Sequence, residues 1–129
     1  MRIAIIEDDD ALIEKLSKIL KKDSWTIDFF KGSMDFGQTD LTLYDVIISD
    51  QSLKPIDGRE LLTILSKKTS ADLLLMNDES FKKEDLDNAA IKGLIDKTNP
   101  MNVFDKLEYL DTKLRILNSA QNATKNPKA

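Results

Sequence analysis

The sequence predicts an α/β fold built on a parallel β-sheet. Five short apolar runs are separated by longer segments in which apolar residues repeat with a helical period. Three of these runs are continuously apolar rather than alternating, which is typical of strands covered on both faces. Strands that alternate with helices imply right-handed crossovers between parallel neighbours. The 129 residues suffice for one domain with its own core.

The predicted elements follow one another in a regular order. The five strands are expected at residues 3–6, 25–30, 46–49, 73–76 and 93–95. Three helices have clear apolar faces, and they are expected at residues 10–22, 58–67 and 100–118. Two further helices are only weakly specified: one around 32–40, which contains two glycines, and a polar one around 81–91.

Two of the helix starts have capping signals. Asp57 is followed three residues later by Glu60, which resembles a capping box. Asn99 is followed by Pro100, a favourable pair for a cap and the first helical position. These signals support helices that begin directly after positions 57 and 99.

Composition excludes several kinds of chemistry. The chain has no cysteine and no histidine, so disulfides, thiolate or histidine metal sites, and a Ser-His-Asp catalyst are excluded. A net charge of −4 gives no basic footprint for nucleic acid, and no apolar run is long enough to span a membrane. The first apolar run turns acidic at Glu7, unlike a signal peptide, so we expect a cytoplasmic protein.

The most informative residues directly follow the predicted strands. Four strand ends carry polar or charged residues: Glu7, Asp8, Asp9 and Asp10; Asp50; Asn77 and Asp78; and Asp96 and Lys97. In a parallel sheet these ends lie at one edge, where ligands bind. Acids at a helix start can simply cap it. Several carboxylates gathered in one crevice, however, repel one another unless a cation such as Mg²⁺ neutralises them.

Together these residues resemble the receiver domain of two-component response regulators. The motifs that carry the resemblance are residues 5–9, residues 44–50, residues 56–61 and Lys97. It covers residues 1–118 and leaves 119–129 as a polar tail or the start of a linker. The resemblance implies a doubly wound, flavodoxin-like three-layer sandwich with a single five-stranded parallel sheet of order 2-1-3-4-5.

The resemblance also implies a role for each site residue. Asp50 would be the phosphoacceptor for a sensor histidine kinase or a phosphotransfer protein. Asp8 and Asp50 would bind Mg²⁺ directly, with the backbone carbonyl of Ser52, whereas Glu7 would act through water. Lys97 would pair with a phosphoryl oxygen. The chain would then be a signalling module that takes part in its own phosphorylation, not an enzyme.

Several positions depart from the family pattern, and one of them is Lys54, which stands where proline is usual, with Pro55 one residue late. Asn77 stands where Thr or Ser is usual, and Leu94 stands where an aromatic residue is usual. Ser80 could replace the missing hydroxyl only if the strand end shifted by three residues. Thr98 replaces a proline that is commonly cis in the family. Because a non-proline cis bond costs about 2.5–4 kcal/mol, we expect a trans Lys97–Thr98 bond. The resemblance implies that positions 77 and 94 are the switch positions, which respond to phosphorylation. Their substitution by Asn77 and Leu94 predicts that the response passed on to partners is altered.

Two alternatives remain open from the sequence. One is a receiver that works without phosphate as a dimerisation or docking domain, which the departures favour. The other is a haloacid-dehalogenase-type phosphatase with Asp8 as nucleophile and Asp10 as general acid, because these two have the D-x-D spacing.

The last predicted helix adds a hint about output. Residues 113–117 are similar to the end of receivers that continue into a DNA-binding domain and dimerise through the fourth helix, fifth strand and fifth helix. We expect a homodimer through that face. No recognition helix is visible in this chain, so we expect no nucleic-acid contact by the chain itself, and control of transcription would require a domain outside it.

Overall fold

The computed structural model describes residues 1–125 and has the predicted α/β architecture. The strands are β1 (Arg2–Ile6), β2 (Thr26–Phe30), β3 (Val46–Asp50), β4 (Asp72–Asn77) and β5 (Gly93–Asp96). All four neighbouring pairs are parallel, and the order is β2-β1-β3-β4-β5. The predicted fold class and the strand order implied by the family resemblance are both confirmed.

Helices cover both faces of the sheet. They are α1 (Asp10–Ile19), α2 (Ser33–Phe36), α3 (Gly58–Leu65), α4 (Lys83–Leu86) and α5 (Met101–Lys125), with a 3₁₀ helix at Leu41–Leu43. One core layer packs α1 and α5 against the sheet, and it includes Leu16 and Leu107. The other packs α2 and α3 on the opposite face, and it includes Phe36 and Leu62. The central strands are buried on both sides, as their continuous apolar runs predict.

The two weakly specified helices are each a single turn, shorter than predicted. Glycines flank α2 at both ends, as Gly32 and Gly37. Beyond α4, the Asn88 side chain accepts a hydrogen bond from the Ala90 amide and forms a turn instead of more helix. Local turn chemistry therefore ends both helices early.

Helix α5 is longer than the apolar pattern predicts. Asn99 caps it by accepting the amide of Met101 at 3.1 Å, as the Asn-Pro signal indicates. The helix continues past residue 118 to Lys125, through residues without glycine or proline. Residues 119–125 of the predicted tail are thus helical, and residues 126–129 lie outside the described part of the chain. No helix within residues 1–125 has the length and apolarity needed to cross a membrane.

A buried polar contact fixes α5 to the start of β2. The indole Nε1 of Trp25 donates to Asp111 Oδ2 at 2.9 Å, and Arg115 pairs with the same carboxylate at 3.2 Å. Burial disfavours the Asp111 charge, but the bond from Trp25 is the larger influence and, with Arg115, holds the Asp111 pKa below its ordinary value. The helix is therefore anchored along its middle, while Ile116 and Leu117 beyond this point are exposed.

Candidate functional site

The carboxyl edge of the sheet brings the predicted site residues together. Asp50 is the last residue of β3, and Glu7 and Lys97 directly follow β1 and β5. The parallel register places Ile6 beside Ser49 and Asn77 beside Asp96, so the strand ends are level. Residues up to 90 positions apart in sequence therefore meet in one crevice.

Glu7 is fully buried and its carboxylate is surrounded by donors. Its Oε1 accepts the backbone amides of Asp8 and Asp9, both at 3.1 Å. Its Oε2 accepts from Lys97 Nζ at 2.9 Å. Burial raises the pKa of Glu7, and the Lys97 contact opposes this rise only in part. The side chain holds the β1–α1 turn and Lys97 in place.

Lys97 also contacts the candidate acceptor. Its Nζ lies 2.9 Å from Asp50 Oδ1, in an ion pair whose carboxylate is 2% exposed. Burial acts to lower the pKa of Lys97, but the carboxylates of Asp50 and Glu7 outweigh it and raise that pKa. Burial raises the pKa of Asp50, and the negative charge of Asp8 adds to the rise. The lysine stays protonated between two carboxylates that burial makes costly to ionise.

The donor set fits a divalent cation. Glu7, Asp8 and Asp50 each offer a carboxylate oxygen, and these oxygens lie within 4.8 Å of one another. Within the described residues, these three carboxyl groups share one ammonium group, Lys97, which contacts Glu7 and Asp50. Asp50 Oδ1 is buried and accepts no aligned hydrogen bond despite its ion pair. All-oxygen ligands with few carboxylates are the kind of site that Mg²⁺ takes.

The neighbouring acids have structural roles instead. Asp9 is the N-cap of α1 and accepts the amide of Ala11 at 2.9 Å. Asp10 begins the helix, is exposed, and pairs with Lys31 at 2.7 Å. Asp10 does not belong to the carboxylate cluster, and this argues against the phosphatase alternative, which needs Asp10 as general acid beside Asp8.

The loop from β3 to α3 is closed by residues that the sequence reasoning did not single out. Gln51 accepts the amide of Gly58 on its carbonyl and the amide of Arg59 on its side-chain Oε1, each at 3.0 Å. Ser52, the predicted carbonyl ligand, lies within this loop and is exposed. The available signal was the position of Gln51, a polar residue directly after the acceptor at the start of the loop.

Arg59 also contacts α4. Its Nε donates to Asp85, which is 2% exposed, and its guanidinium lies 3.4 Å from Glu84. This pair could not be found from the sequence, since its members are 26 residues apart and no spacing rule connects them.

The departures from the family pattern lie where the sequence placed them. Asn77 ends β4 and is nearly buried, while Ser80 is exposed beyond the strand, so the strand end is not shifted. Leu94 is partly buried and packs against the α3-side core. Within residues 1–125 the cis peptide bond is Lys54–Pro55, so Lys97–Thr98 is trans as predicted.

Comparisons with known proteins agree with this geometry. No protein-family model matches the chain. Among curated proteins it is similar to the cell cycle response regulator CtrA of Brucella ovis, with 32% identity over 81 residues, 60% of this chain and 34% of that protein. The chain therefore spans about a third of the length of the curated relatives that it matches.

Solved structures are similar over most of the chain. A two-component response regulator from Clostridium difficile has a TM-score of 0.74 and 20% identity, and covers 92% of this chain and 98% of its own. Response regulator TrrA of Thermotoga maritima, in complex with Mg(2+)-BeF, has a TM-score of 0.69 and 24% identity, with 88% and 97% covered. At these identities the likeness shows a shared fold.

Proposed function

This chain folds as a response regulator receiver domain, and on that premise we propose that Asp50 accepts a phosphoryl group from a phosphohistidine of a sensor histidine kinase or phosphotransfer protein. The domain is a signalling module rather than a catalytic enzyme. The convergence of Asp50, Lys97 and two further carboxylates at one sheet edge is the observation that carries the proposal.

The residues suit the chemistry of phosphoryl transfer. A carboxylate oxygen of Asp50 would attack phosphorus in line with the bond to the imidazole nitrogen, and the electron pair of that bond would leave with the imidazole. The ammonium of Lys97, 2.9 Å from Asp50 Oδ1, is placed to pair with a phosphoryl oxygen. Glu7 keeps that ammonium at the site from its buried position.

The cation we propose for this site is Mg²⁺. Asp8, Asp50 and the Ser52 carbonyl would hold it directly, and Glu7 through water. When bound, it would supply the positive charge that neutralises phosphoryl oxygens. TrrA, which has the same fold, was solved with Mg(2+)-BeF, and this supports the assignment.

We also propose that the output of the domain is altered. A hydroxyl residue and an aromatic residue are expected to respond to the phosphoryl group in the family, and Asn77 and Leu94 stand in their places. Neither has a hydroxyl to rearrange. In a longer protein, the cytoplasmic receiver would control transcription through a DNA-binding domain outside this chain.

Phosphorylation with acetyl phosphate tests the main proposal. With Mg²⁺ present, we expect a shifted band on a phosphoprotein mobility gel, together with a mass increase of one phosphoryl group. The Asp50→Asn variant should show neither, and chelation of Mg²⁺ should suppress both. Labelling that persists in Asp50→Asn, or a wild-type protein that is never labelled, would contradict the proposal.

The exposed face of α4, β5 and α5 supports a second candidate function, self-association. Leu86 on α4 and Tyr109 on α5 are 66% and 61% exposed, so each offers apolar surface that a partner could cover. We propose that a second copy of the chain covers this face. Light scattering should then detect a dimer that Tyr109→Glu disrupts, whereas a wild type that stays monomeric at high concentration would refute it.

A further inference from the structure

The loop that carries the predicted Ser52 ligand runs from the end of β3 to the start of α3, and Gln51 joins its two ends. Gln51 makes three hydrogen bonds: its amide donates to Met76 on β4, its carbonyl accepts from Gly58, and its side chain accepts from Arg59, each at 3.0 Å. One residue therefore ties the end of β3 both to the next strand and to the first turn of α3.

The start of α3 is pressed directly against the acceptor. A Cβ atom added to Gly58 would lie 2.2 Å from the carbonyl oxygen of Asp50, closer than any real contact. The backbones of residues 50 and 58 thus touch, with no space for a side chain between them. A displacement of the first turn of α3 would therefore displace the Asp50 backbone as well.

Two side chains cap the first turn of α3. Asp57 accepts the amide of Glu60 at 2.9 Å, as a local cap does. Gln51 accepts the amide of Arg59 from eight residues away. The local cap orders the helix alone, but the Gln51 cap also fixes the distance between the helix and the strand end.

We propose that Gln51 is a positioning residue for the cation site. Its side chain holds the loop so that the Asp50 carboxylate and the Ser52 carbonyl face the same cation, and it acts from outside the coordination shell through the Arg59 amide. This inference rests on the proposed function and deepens it. Partners that orient metal ligands from outside the coordination shell typically contribute about 10–100-fold to metal affinity.

Two substitutions at position 51 separate positioning from side-chain bulk. Gln51→Met keeps the length but removes the acceptor, so Mg²⁺ affinity, followed by NMR shifts of the Asp8 and Asp50 amides, should fall about tenfold. Gln51→Glu keeps an acceptor oxygen at the same reach, and its added negative charge favours both the helix start and the cation. This variant should bind Mg²⁺ at least as tightly as the wild type.

A measurement without metal tests the hydrogen bond between the Arg59 amide and the Gln51 side chain directly. Hydrogen exchange of the Arg59 amide should be faster in Gln51→Met than in the wild type, and near wild type in Gln51→Glu. Asp40→Ala is the matched control, because it removes a similar side-chain cap, from the Thr42 amide at 3.0 Å, at the opposite edge of the sheet. It should leave both Mg²⁺ affinity and Arg59 exchange unchanged.

The outcomes distinguish this inference from the proposed function. Faster Arg59 exchange with weaker Mg²⁺ binding in Gln51→Met, and recovery of both in Gln51→Glu, would support it. Unchanged affinity in Gln51→Met, or an equal loss in Asp40→Ala, would overturn it while leaving the cation site intact. A wild type that binds no Mg²⁺ would overturn the cation assignment, and the inference with it, before any variant is compared.

Discussion

Among the described residues, Lys97 is the cation that forms ion pairs with the acidic cluster. It lies 2.9 Å from both Glu7 Oε2 and Asp50 Oδ1, and both carboxylates are buried. Asp8 is the exposed member of the cluster, and it lacks a partner of this kind among the ion pairs of the described residues. An exposed, uncompensated carboxylate next to two buried ones is the expected entry point for a cation.

Asp8→Asn should therefore weaken Mg²⁺ binding by at least about tenfold, the lower end of what is lost even for outer-shell partners. Asp10→Asn is the matched control, because Asp10 is two residues away but pairs with Lys31 outside the cluster. Mg²⁺ titrations followed by NMR would measure both. Equal losses in the two variants would mean that the cluster attracts the ion by general charge alone.

The same substitution should stabilise the fold when no metal is present. Burial is the main cause of the raised pKa of Asp50, and repulsion from Asp8 adds to it. Removing the Asp8 charge relieves that repulsion, so Asp8→Asn should have a higher melting temperature than the wild type in chelator. A clear loss of thermal stability would contradict the electrostatic account.

At the scale of elements, α4 depends on α3 for its existence. A helix of four residues has no stability of its own, and α4 spans only Lys83–Leu86. Its buried Asp85 is held by Arg59 from α3, and the side-chain Nδ2 of Asn88 donates to Thr63 Oγ1 at 3.0 Å. These polar contacts, rather than helix propensity, place the segment.

Asp85→Asn should destabilise the protein by about 2 kcal/mol, in the range for a hydrogen bond to a charged group. Glu84→Gln is the control: Glu84 contacts the same arginine but is 71% exposed, so its loss should cost less than about 0.5 kcal/mol. Urea unfolding would measure both. Similar losses for the two variants would show that burial of the pair is unimportant.

The pH dependence of this pair has a definite sign. Burial favours protonation of Asp85, but the bonds from Arg59 and from the Lys82 amide outweigh it and hold its pKa below the ordinary value. The stabilisation is thus fully present above the unfolded pKa of about 3.9 and is lost as pH falls through the folded-state pKa. The stability gap between wild type and Asp85→Asn should close in that acidic window and stay constant near neutrality.

At the scale of the whole molecule, phosphorylation of Asp50 matters through the distance from Asp50 over which the structure responds. A ligand shifts a two-state element only by its differential affinity for the two states. Asn77 is nearly buried at the end of β4, and Leu94 packs into the α3-side core. On the proposed altered output, neither has the hydroxyl or aromatic ring that is expected to rearrange in response to a phosphoryl group.

A phosphoryl mimic should therefore produce a confined response. With beryllofluoride and Mg²⁺, we expect amide shifts limited to the loops after β1, β3 and β5. Large shifts throughout residues 78–100, or dimerisation that requires the mimic, would show that Asn77 and Leu94 do transmit the signal. An Asn77→Thr, Leu94→Tyr double variant tests the converse and should extend the response into residues 78–100.

Much of this molecule follows from short stretches of sequence. The apolar runs predict all five strands to within about two residues, because burial on both faces leaves a continuous apolar pattern. Asp57 and Asn99 mark the starts of α3 and α5, because a cap is decided by residues three or fewer positions apart. The end of α5 was missed because the apolar pattern stops at residue 117, although no residue there breaks the helix.

The sequence by itself determined that the chain is an α/β domain with acids and one lysine at the same sheet edge, because strand ends and their polar neighbours are local features. Only the tertiary structure decided which side chains are in contact. Lys97 lies between Glu7 and Asp50, the Gln51 side chain accepts the Arg59 amide, and the Arg59 side chain pairs with Asp85. Such contacts depend on the register of paired strands and on the path of the loops, which no periodicity in the chain records.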